Sequence, residues 1–148
     1  MIENDIFNFL KSDATLLALL GGSATDYKIY PDKAPQGNDG NPINPPYIVY
    51  SNDIGSTADE IVGEDRIQLT VVGTDKAETD AIRDRIKTIL DIQDHNGTSY
   101  TIKVITSSTY YIYYSRLTSG FSLFNKESGQ DTNEKVYTMF FNLLYQKI

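Results

Sequence analysis

The sequence predicts an α+β domain in which a single antiparallel (mixed) β-sheet carries N-terminal helices and one central helix on one face. Three observations predict it. Apolar residues at helical spacing mark the N-terminus and the middle of the chain, alternating residues mark strands elsewhere, and the elements follow the order α(α)-β-β-β-α-β-β-β. With 148 residues, the chain has the size of one domain, residues 1–148, and long loops are expected at 31–46, 52–65 and 117–133.

The N-terminal segment predicts two short helices followed by a short strand at 27–30. Ser12 and Asp13 are residue types that favour a helix N-cap, so the helical pattern should break there. Gly21-Gly22 should end the second helix, because glycine tolerates a left-handed C-terminal turn. The apolar residues of this segment are Ile2, Ile6, Phe9, Leu10, Leu16, Leu17, Leu19 and Leu20.

Residues 31–46 contain all five prolines of the chain. Proline removes backbone donors, so this stretch is predicted to be a loop, and it is longer than the ~4–6 residues of most connections. Loops of this length are usually either functional or mobile, and both interpretations stay open.

Two strands are predicted next, at 47–51 and 66–72. In the second, polar and apolar residues alternate, which should turn Ile67, Leu69 and Val71 towards a core. The polar stretch 52–65 between them is interpreted as a long hairpin connection. Its acidic residues are Asp53, Asp59, Glu60, Glu64 and Asp65.

A helix is predicted over 76–92. Asp75 has the position of an N-cap, and Glu78 lies three residues on and should reach back in a capping box. The helix should end before the Asn96-Gly97 turn. Its expected buried stripe comprises Ala81, Ile82, Ile86, Ile89 and Leu90.

The C-terminal third predicts strands at 100–104, 110–114 and 136–145, with a Gly/Ser-rich connection at 117–133. The last two strands carry apolar or aromatic residues on both sides, whereas a sheet with helices on one face needs only one apolar side. We therefore expect another subunit to cover part of the second face; the alternative is that the tyrosines are half-exposed in a monomer. The candidate subunit-interface residues are Tyr110, Tyr111, Tyr113 and Tyr114.

The sequence offers little for catalysis. Cysteine is absent, His95 is the sole histidine, and neither a G-x-S-x-G motif nor a phosphate-binding glycine loop occurs. The acidic residues of 52–65 match no calcium loop, although a metalloenzyme using Glu64 or Asp65 is a third hypothesis. We predict a protein that is not an enzyme, with no catalytic, cofactor-binding or metal site and no cofactor.

Charge and hydropathy restrict the environment and the partners. The formal net charge of −7 argues against a duplex-binding protein, which normally concentrates positive charge. The longest apolar run, 16–20, is too short to cross a membrane, and no signal peptide precedes it. A soluble protein from a reducing compartment is expected, with no membrane partner.

Three stretches resemble the bacteriophage tail-completion family, whose members act as tail terminators or tail-to-head joining proteins. They are Ile29-Tyr30-Pro31 through Ala34-Pro35-Gln36-Gly37, then Pro46-Tyr47-Ile48-Val49-Tyr50, and the strand 66–74 with the helix that follows it. A short helical segment precedes them in that family, as residues 2–20 do here. The resemblance covers about residues 1–92 and does not extend to the tyrosine-rich C-terminal strands.

The resemblance implies a structural protein of the virion tail or neck, assembled in the host cytoplasm. Such a subunit closes into a ring, commonly a hexamer, on the last disc of the tail tube, although the free protein can be monomeric. Its partners would be itself, the tail tube protein and a head-completion or neck protein, while DNA passes through the lumen without specific binding. The expected axial contacts to head or tail are Pro35, Gln36, Asn38, Asp39, Asp53, Asp59, Glu60 and Glu64.

A second hypothesis belongs to another functional class. The acidic composition is also typical of a small non-enzymatic binding module, such as an inhibitor that mimics DNA. The native mass of the protein and its binding to tail tubes separate the two hypotheses.

Overall fold

Three helices and six strands form the part of the chain that the structure describes. The structure is a computed structural model, and it describes residues 2–23, 25–36, 43–52, 62–90, 105–106, 110–125 and 134–147. The elements are α1 (Ile2–Lys11), α2 (Ala14–Leu20), β1 (Ile29–Pro31), β2 (Tyr47–Asn52), β3 (Val62–Gly73), α3 (Lys76–Leu90), β4 (Ile105–Thr106), β5 (Tyr110–Asn125) and β6 (Glu134–Lys147).

The strands form one mixed sheet in the order β1-β2-β3-β6-β5-β4. β1 pairs with β2 in parallel, and all other neighbouring strands are antiparallel. The helix α3 packs against β3, β5 and β6, while α1 packs against β2 and α2 against α3. The predicted α+β class, with a single sheet and helices on one face, is confirmed.

The core lies between the sheet and the helices. Ile67, Leu69 and Val71 are fully or almost fully buried there, as the alternation in the sequence predicts. β6 contributes the same alternation, and α1, α2 and α3 supply the opposing apolar side chains. The buried residues that these elements add are Met139, Phe141, Leu143, Tyr145, Ile6, Leu10, Leu16, Leu20, Ile82, Ile86 and Leu90.

The helix α2 begins and ends where its sequence signals are. Asp13 is the N-cap, and its Oδ2 accepts a hydrogen bond from the backbone N–H of Leu16 at 2.9 Å. Gly21 ends the helix in the left-handed conformation, with φ of 66°. The N–H groups of Gly21 and Gly22 then satisfy the last helical carbonyls, those of Ala18 and Leu17.

The start of α3 follows the predicted capping pattern with one shift. The N–H of Glu78 donates to Asp75 Oδ1 at 2.8 Å, so Asp75 is the N-cap. The Glu78 carboxylate reaches back one residue further than expected and accepts from both the N–H and the hydroxyl of Thr74. The buried stripe is narrower than predicted, because Ala81 is exposed and Ile89 is only half-buried.

Two predicted loops are too long. β3 begins at Val62, so residues 62–65 of the expected connection 52–65 are strand and pair with β6. β5 continues to Asn125, so residues 117–125 of the expected connection 117–133 are strand as well. The serine and glycine content of that stretch predicted a loop, but pairing with β6 along its whole length overrides the weak local β-propensity.

Gly120 illustrates why composition was misleading in β5. A Cβ at this position would meet the Tyr137 hydroxyl at 3.0 Å and its ring at 3.2 Å. Tyr137 packs across the glycine, and the Arg83 guanidinium lies 5.0 Å from the centre of its ring on the helix side. The glycine therefore provides space for an aromatic side chain.

The first predicted strand is displaced, and several predictions lie outside the described residues. The expected strand 27–30 is observed at Ile29–Pro31. The end of the central helix at 91–92, the predicted strand 100–104 and His95 are not among the described residues, nor are 37–42, 53–61 and 126–133. Among the described residues, no helix is long and apolar enough to cross a membrane.

Candidate functional site on the open face and edge of the sheet

The described helices cover one face of the sheet. The opposite face, called the open face here, is not covered by them. On β3, Arg66, Gln68 and Thr70 point to this open face and are half-buried, whereas Ile67 and Leu69 between them lie in the core. The neighbouring strands continue the surface with a mixture of apolar and polar side chains. These half-buried residues are Val49, Ser51, Val136, Phe140, Asn142 and Leu144.

Polar and aromatic contacts order the middle of the open face. The Arg66 guanidinium carbon lies 4.4 Å from the centre of the Phe140 ring, a cation–π geometry. The Gln68 amide donates to the Thr70 hydroxyl at 3.4 Å, and that hydroxyl is 3.5 Å from the hydroxyl of Thr138. These contacts hold the side chains in the middle of the open face in defined positions.

A strap, residues 32–36, leaves the end of β1 and passes over the open face. Asp32 is the first residue of the strap and has a φ of 61°. Lys28, which directly precedes β1, has a φ of 58°. Positive φ is unfavourable for residues other than glycine, so neighbouring contacts must hold both turns. Lys28 is held by its Nζ, which donates to the Asn44 carbonyl, and by its N–H, which donates to Asp26 Oδ1.

The strap has a cavity on each side. The inner cavity, of about 440 Å³, lies between the strap and the open face, where Tyr47, Val49 and Val72 form the apolar floor and Gln68 and Thr70 the polar floor. The outer cavity, of about 420 Å³, is formed by the strap and the end of β1. Its lining consists of Tyr30, Pro31, Lys33, Ala34, Pro35 and Gln36.

Tyr30 forms one wall of the outer cavity and is fixed by its neighbours. Its hydroxyl donates to Asp26 Oδ1 at 2.8 Å, and its ring lies 6.4 Å from that of Tyr47. Partial burial and the nearby Asp26 carboxylate raise the pKa of the Tyr30 phenol far above its usual value. The phenol is therefore neutral at any physiological pH and remains a hydrogen-bond donor.

The outer edge of β1 offers few backbone groups for pairing. The Lys28 carbonyl and the Asp32 N–H bond to β2, so the groups of Ile29 and Pro31 face outwards. Pro31 has no N–H, and its carbonyl accepts from the N–H of Lys33 at 2.6 Å. An added strand would find only the groups of Ile29, so this edge does not favour strand addition.

The charges on the described helices are largely paired. Arg85 on α3 donates to both carboxylate oxygens of Asp13 at 2.6 and 2.8 Å, and these bonds hold the pKa of Asp13 below its usual value. Asp80 is bonded to Lys76 and Arg83, and the Lys76 hydrogen bond lowers the pKa of the Asp80 carboxyl. The helix side therefore presents balanced charge.

The residues predicted from the sequence to contact other subunits or other virion proteins lie in different parts of the chain. Pro35 and Gln36 are exposed on the strap. Tyr110, Tyr111, Tyr113 and Tyr114 lie in β5 and Glu64 lies in β3, but their side chains are outside the described residues. Asn38, Asp39, Asp53, Asp59 and Glu60 are also outside them.

Sequence reasoning missed Lys33 and Tyr30, which line the outer cavity together with Pro31 and Pro35. The repeated prolines and the Tyr-Pro step marked the segment as irregular, but no local pattern shows that a loop arches over a sheet. Among the described residues, no group of His, Cys, Asp and Glu could hold a metal ion.

The comparisons with known proteins bear on the fold of the chain. No protein-family model and no curated protein matches the chain. The chain is similar to a chain in a solved structure described as the virion of a native gene transfer agent (GTA) particle. The TM-score is 0.64 at 14% identity, and the match covers 95% of this chain and 91% of that chain. The two chains therefore share their fold over nearly their whole length.

Proposed function

We propose that the protein is a structural component of a phage-like virion, located in the tail or neck, that caps the tail tube as a ring. The observation that carries this proposal is the nearly full-length likeness of fold to a chain of the gene transfer agent virion. The ring would end tail polymerisation and present the surface for head-tail joining.

The resemblance to tail-completion proteins adds support, because its separate stretches meet in the fold. Residues 29–37 contribute β1 and the strap, 46–50 contribute β2, and 66–74 contribute most of β3. These three strands are consecutive in the sheet, and together they carry both cavities. The three stretches that resemble tail-completion proteins therefore form one continuous surface in the fold.

A ring requires a head-to-tail contact between different surfaces of neighbouring copies. We assign part of that contact to Tyr110, Tyr111, Tyr113 and Tyr114, and we assign contacts with tail or head proteins to the strap and the acidic connection 53–61. The net charge of −7 suits a ring through which DNA passes, since an acidic lumen repels the phosphate backbone.

A capping assay tests the proposal. Purified protein carrying a gold label should bind one end of isolated tail tubes and stop their elongation by added tube protein. Label distributed along the tubes, or elongation that continues at the normal rate, would contradict the capping function.

The tyrosine assignment has its own test. Tyr111→Ala and Tyr113→Ala should weaken ring closure, because each removes a large contact area, while the isolated subunit stays folded by circular dichroism. Rings of full size by light scattering, together with unchanged thermal stability, would show that these tyrosines do not form the interface.

A further inference from the structure

We propose that β1 and the strap open as a unit while the rest of the domain stays folded, and that this opening controls access to the inner cavity. The unit, called the β1–strap segment, comprises residues 28–36, all of which the structure describes. The proposal goes beyond the proposed function and does not depend on it, because it rests on the backbone, burial and hydrogen bonds of this segment.

Backbone strain is present at both ends of β1. Lys28, directly before β1, and Asp32, directly after it, have φ angles of 58° and 61°. Neither residue is a glycine, so the closed conformation carries an unfavourable backbone geometry on each side of a three-residue strand. Release of β1 from the sheet relieves both turns, and this lowers the free energy of opening.

Few side chains hold the segment on the sheet. β1 is an edge strand whose neighbour in the described sheet is β2, and the two strands are parallel. Ile29 is buried, whereas Tyr30 is half-buried and Pro31 is exposed. In the strap, Ala34 is half-buried and the other four residues are exposed. Opening therefore removes one core side chain, that of Ile29, from the domain.

The hydrogen bonds between the segment and the sheet are few as well. The Ile48 N–H donates to the Lys28 carbonyl, and the Asp32 N–H donates to the Tyr50 carbonyl, both at 2.9 Å. Within the described residues, the bond from Asp32 is the strap's only hydrogen bond to the sheet. The strap is therefore attached to the sheet at the end of β1, where the backbone is strained.

The remaining sheet has its own support. β2 pairs with β3 over six residues, and β3 pairs with β6 over twelve. Ile48, Ile67 and Leu69 belong to the core cluster to which the three helices contribute. We therefore expect opening of the β1–strap segment as a local event that costs less free energy than global unfolding.

Opening uncovers the floor of the inner cavity. Asp32, Lys33, Ala34 and Gln36 line this cavity from the strap. On the floor, Tyr47 and Val72 are buried, and the other floor residues are half-buried. Since the strap leaves the sheet together with β1, a neighbouring molecule reaches this floor fully only in the open form.

Two adjacent amides of β2 test the local opening. The Ile48 N–H points to β1, so the Val49 N–H points to the other side of the strand, towards β3. In native-state hydrogen exchange of the full chain, the protection factor of Ile48 should be at least about tenfold lower than that of Val49. Equal protection would overturn the proposal, because β2 would then open as a whole or not at all.

A core variant separates local opening from global unfolding. Ile82 on α3 is fully buried and lies outside the β1–strap segment. Ile82→Val should accelerate the exchange of the Leu69 amide about three- to tenfold, because that amide exchanges through global unfolding. The exchange of Ile48 should not change, since the open form keeps α3 packed. Equal acceleration of both amides would contradict a separate opening.

Thiol labelling tests the control of access, since the chain has no cysteine of its own. Asp32→Val places a β-branched residue at positive φ and should favour the open form about tenfold. In this background, Val49→Cys on the cavity floor should react with a bulky maleimide about tenfold faster. The matched control Val136→Cys, on the open face but not in the lining of the inner cavity, should react at an unchanged rate.

Asp32→Gly provides the opposite change and keeps the test valid if Asp32→Val does not fold. Glycine adopts positive φ without strain, so labelling of Val49→Cys should become slower in this background. Labelling of Val49→Cys that is unchanged in both backgrounds, or that changes equally at Val136→Cys, would overturn the control of access by the strap.

Discussion

At the scale of single residues, Asp13 has two roles. Its carboxylate caps α2 through the N–H of Leu16 and accepts two hydrogen bonds from Arg85, which lies 72 positions later on α3. The Asp13 side chain is 17% exposed and that of Arg85 30% exposed, so solvent screens the pair only in part. One residue thus fixes the start of a helix and its packing on another.

Substitutions at Asp13 should separate these roles. Asp13→Ala should lower the free energy of unfolding by about 1–3 kcal/mol, because both the cap and the ion pair are lost. Asp13→Asn should lower it less, since asparagine is a good cap but carries no charge. Chemical denaturation at pH 7 measures both differences.

The effect of pH on the same pair has a defined sign. The pKa of Asp13 in the folded protein is lowered below its ordinary value of 3.8, so the charge stabilises the fold fully above that value. The stabilisation is lost as the pH falls through the folded pKa. The stability gap between wild type and Asp13→Asn should therefore shrink in acid; a gap that stays constant down to about pH 2 would contradict this role.

Gly73 is a second residue with a specific requirement. A Cβ there would collide with Oγ1 of Thr79, which is buried and donates to the Asp75 carbonyl at 2.7 Å. Gly73→Ala should lower the free energy of unfolding by about 1–3 kcal/mol through overpacking. In a Thr79→Ala background the same change should lower it less, and a double-mutant cycle in urea measures the difference. Equal losses in the two backgrounds would show that the collision is relieved elsewhere.

At the scale of elements, the long strands β3, β5 and β6 separate a core face from an open face. Phe141 is completely buried, whereas its neighbour Phe140 is half-buried beneath Arg66 on the other side of the sheet. Alternation along one strand thus assigns one phenylalanine to the core and the next to a surface.

These neighbours provide a matched pair of variants. Phe141→Ala should lower the free energy of unfolding by about 3–5 kcal/mol, because it leaves a cavity in the core. Phe140→Ala should lower it by about 1 kcal/mol or less, which is the range of a partly exposed cation–π contact. Similar losses for both, measured by urea denaturation, would mean that the open face is as important for folding as the core.

The elements also show how far the sequence predicts the fold. Alternation located Ile67 and Leu69 in the core, and Asp75 and Gly21 marked helix ends correctly, because these signals are local. The extension of β5 through Gly120 was not predictable, since it depends on pairing with β6 and on the position of Tyr137. Lys33 was missed because only the folded conformation of residues 30–36 brings it into the lining of the outer cavity, and composition does not predict that conformation.

At the scale of the whole molecule, charge is balanced on the described helices, whereas every charged residue of the connection 53–61 is acidic. If this connection contacts tail or head proteins, as proposed, assembly onto tail tubes should weaken as salt screens exposed charges. The concentration for half-maximal assembly should rise between low and about 0.5 M salt, measured by sedimentation. A midpoint independent of salt would indicate a contact formed by apolar surface alone.

The most direct test of the account is electron microscopy of particles produced in the absence of this protein. A subunit that caps the tail tube predicts tubes of excess and variable length, unattached to filled heads. Tails of normal length that remain joined to heads would contradict the proposed function.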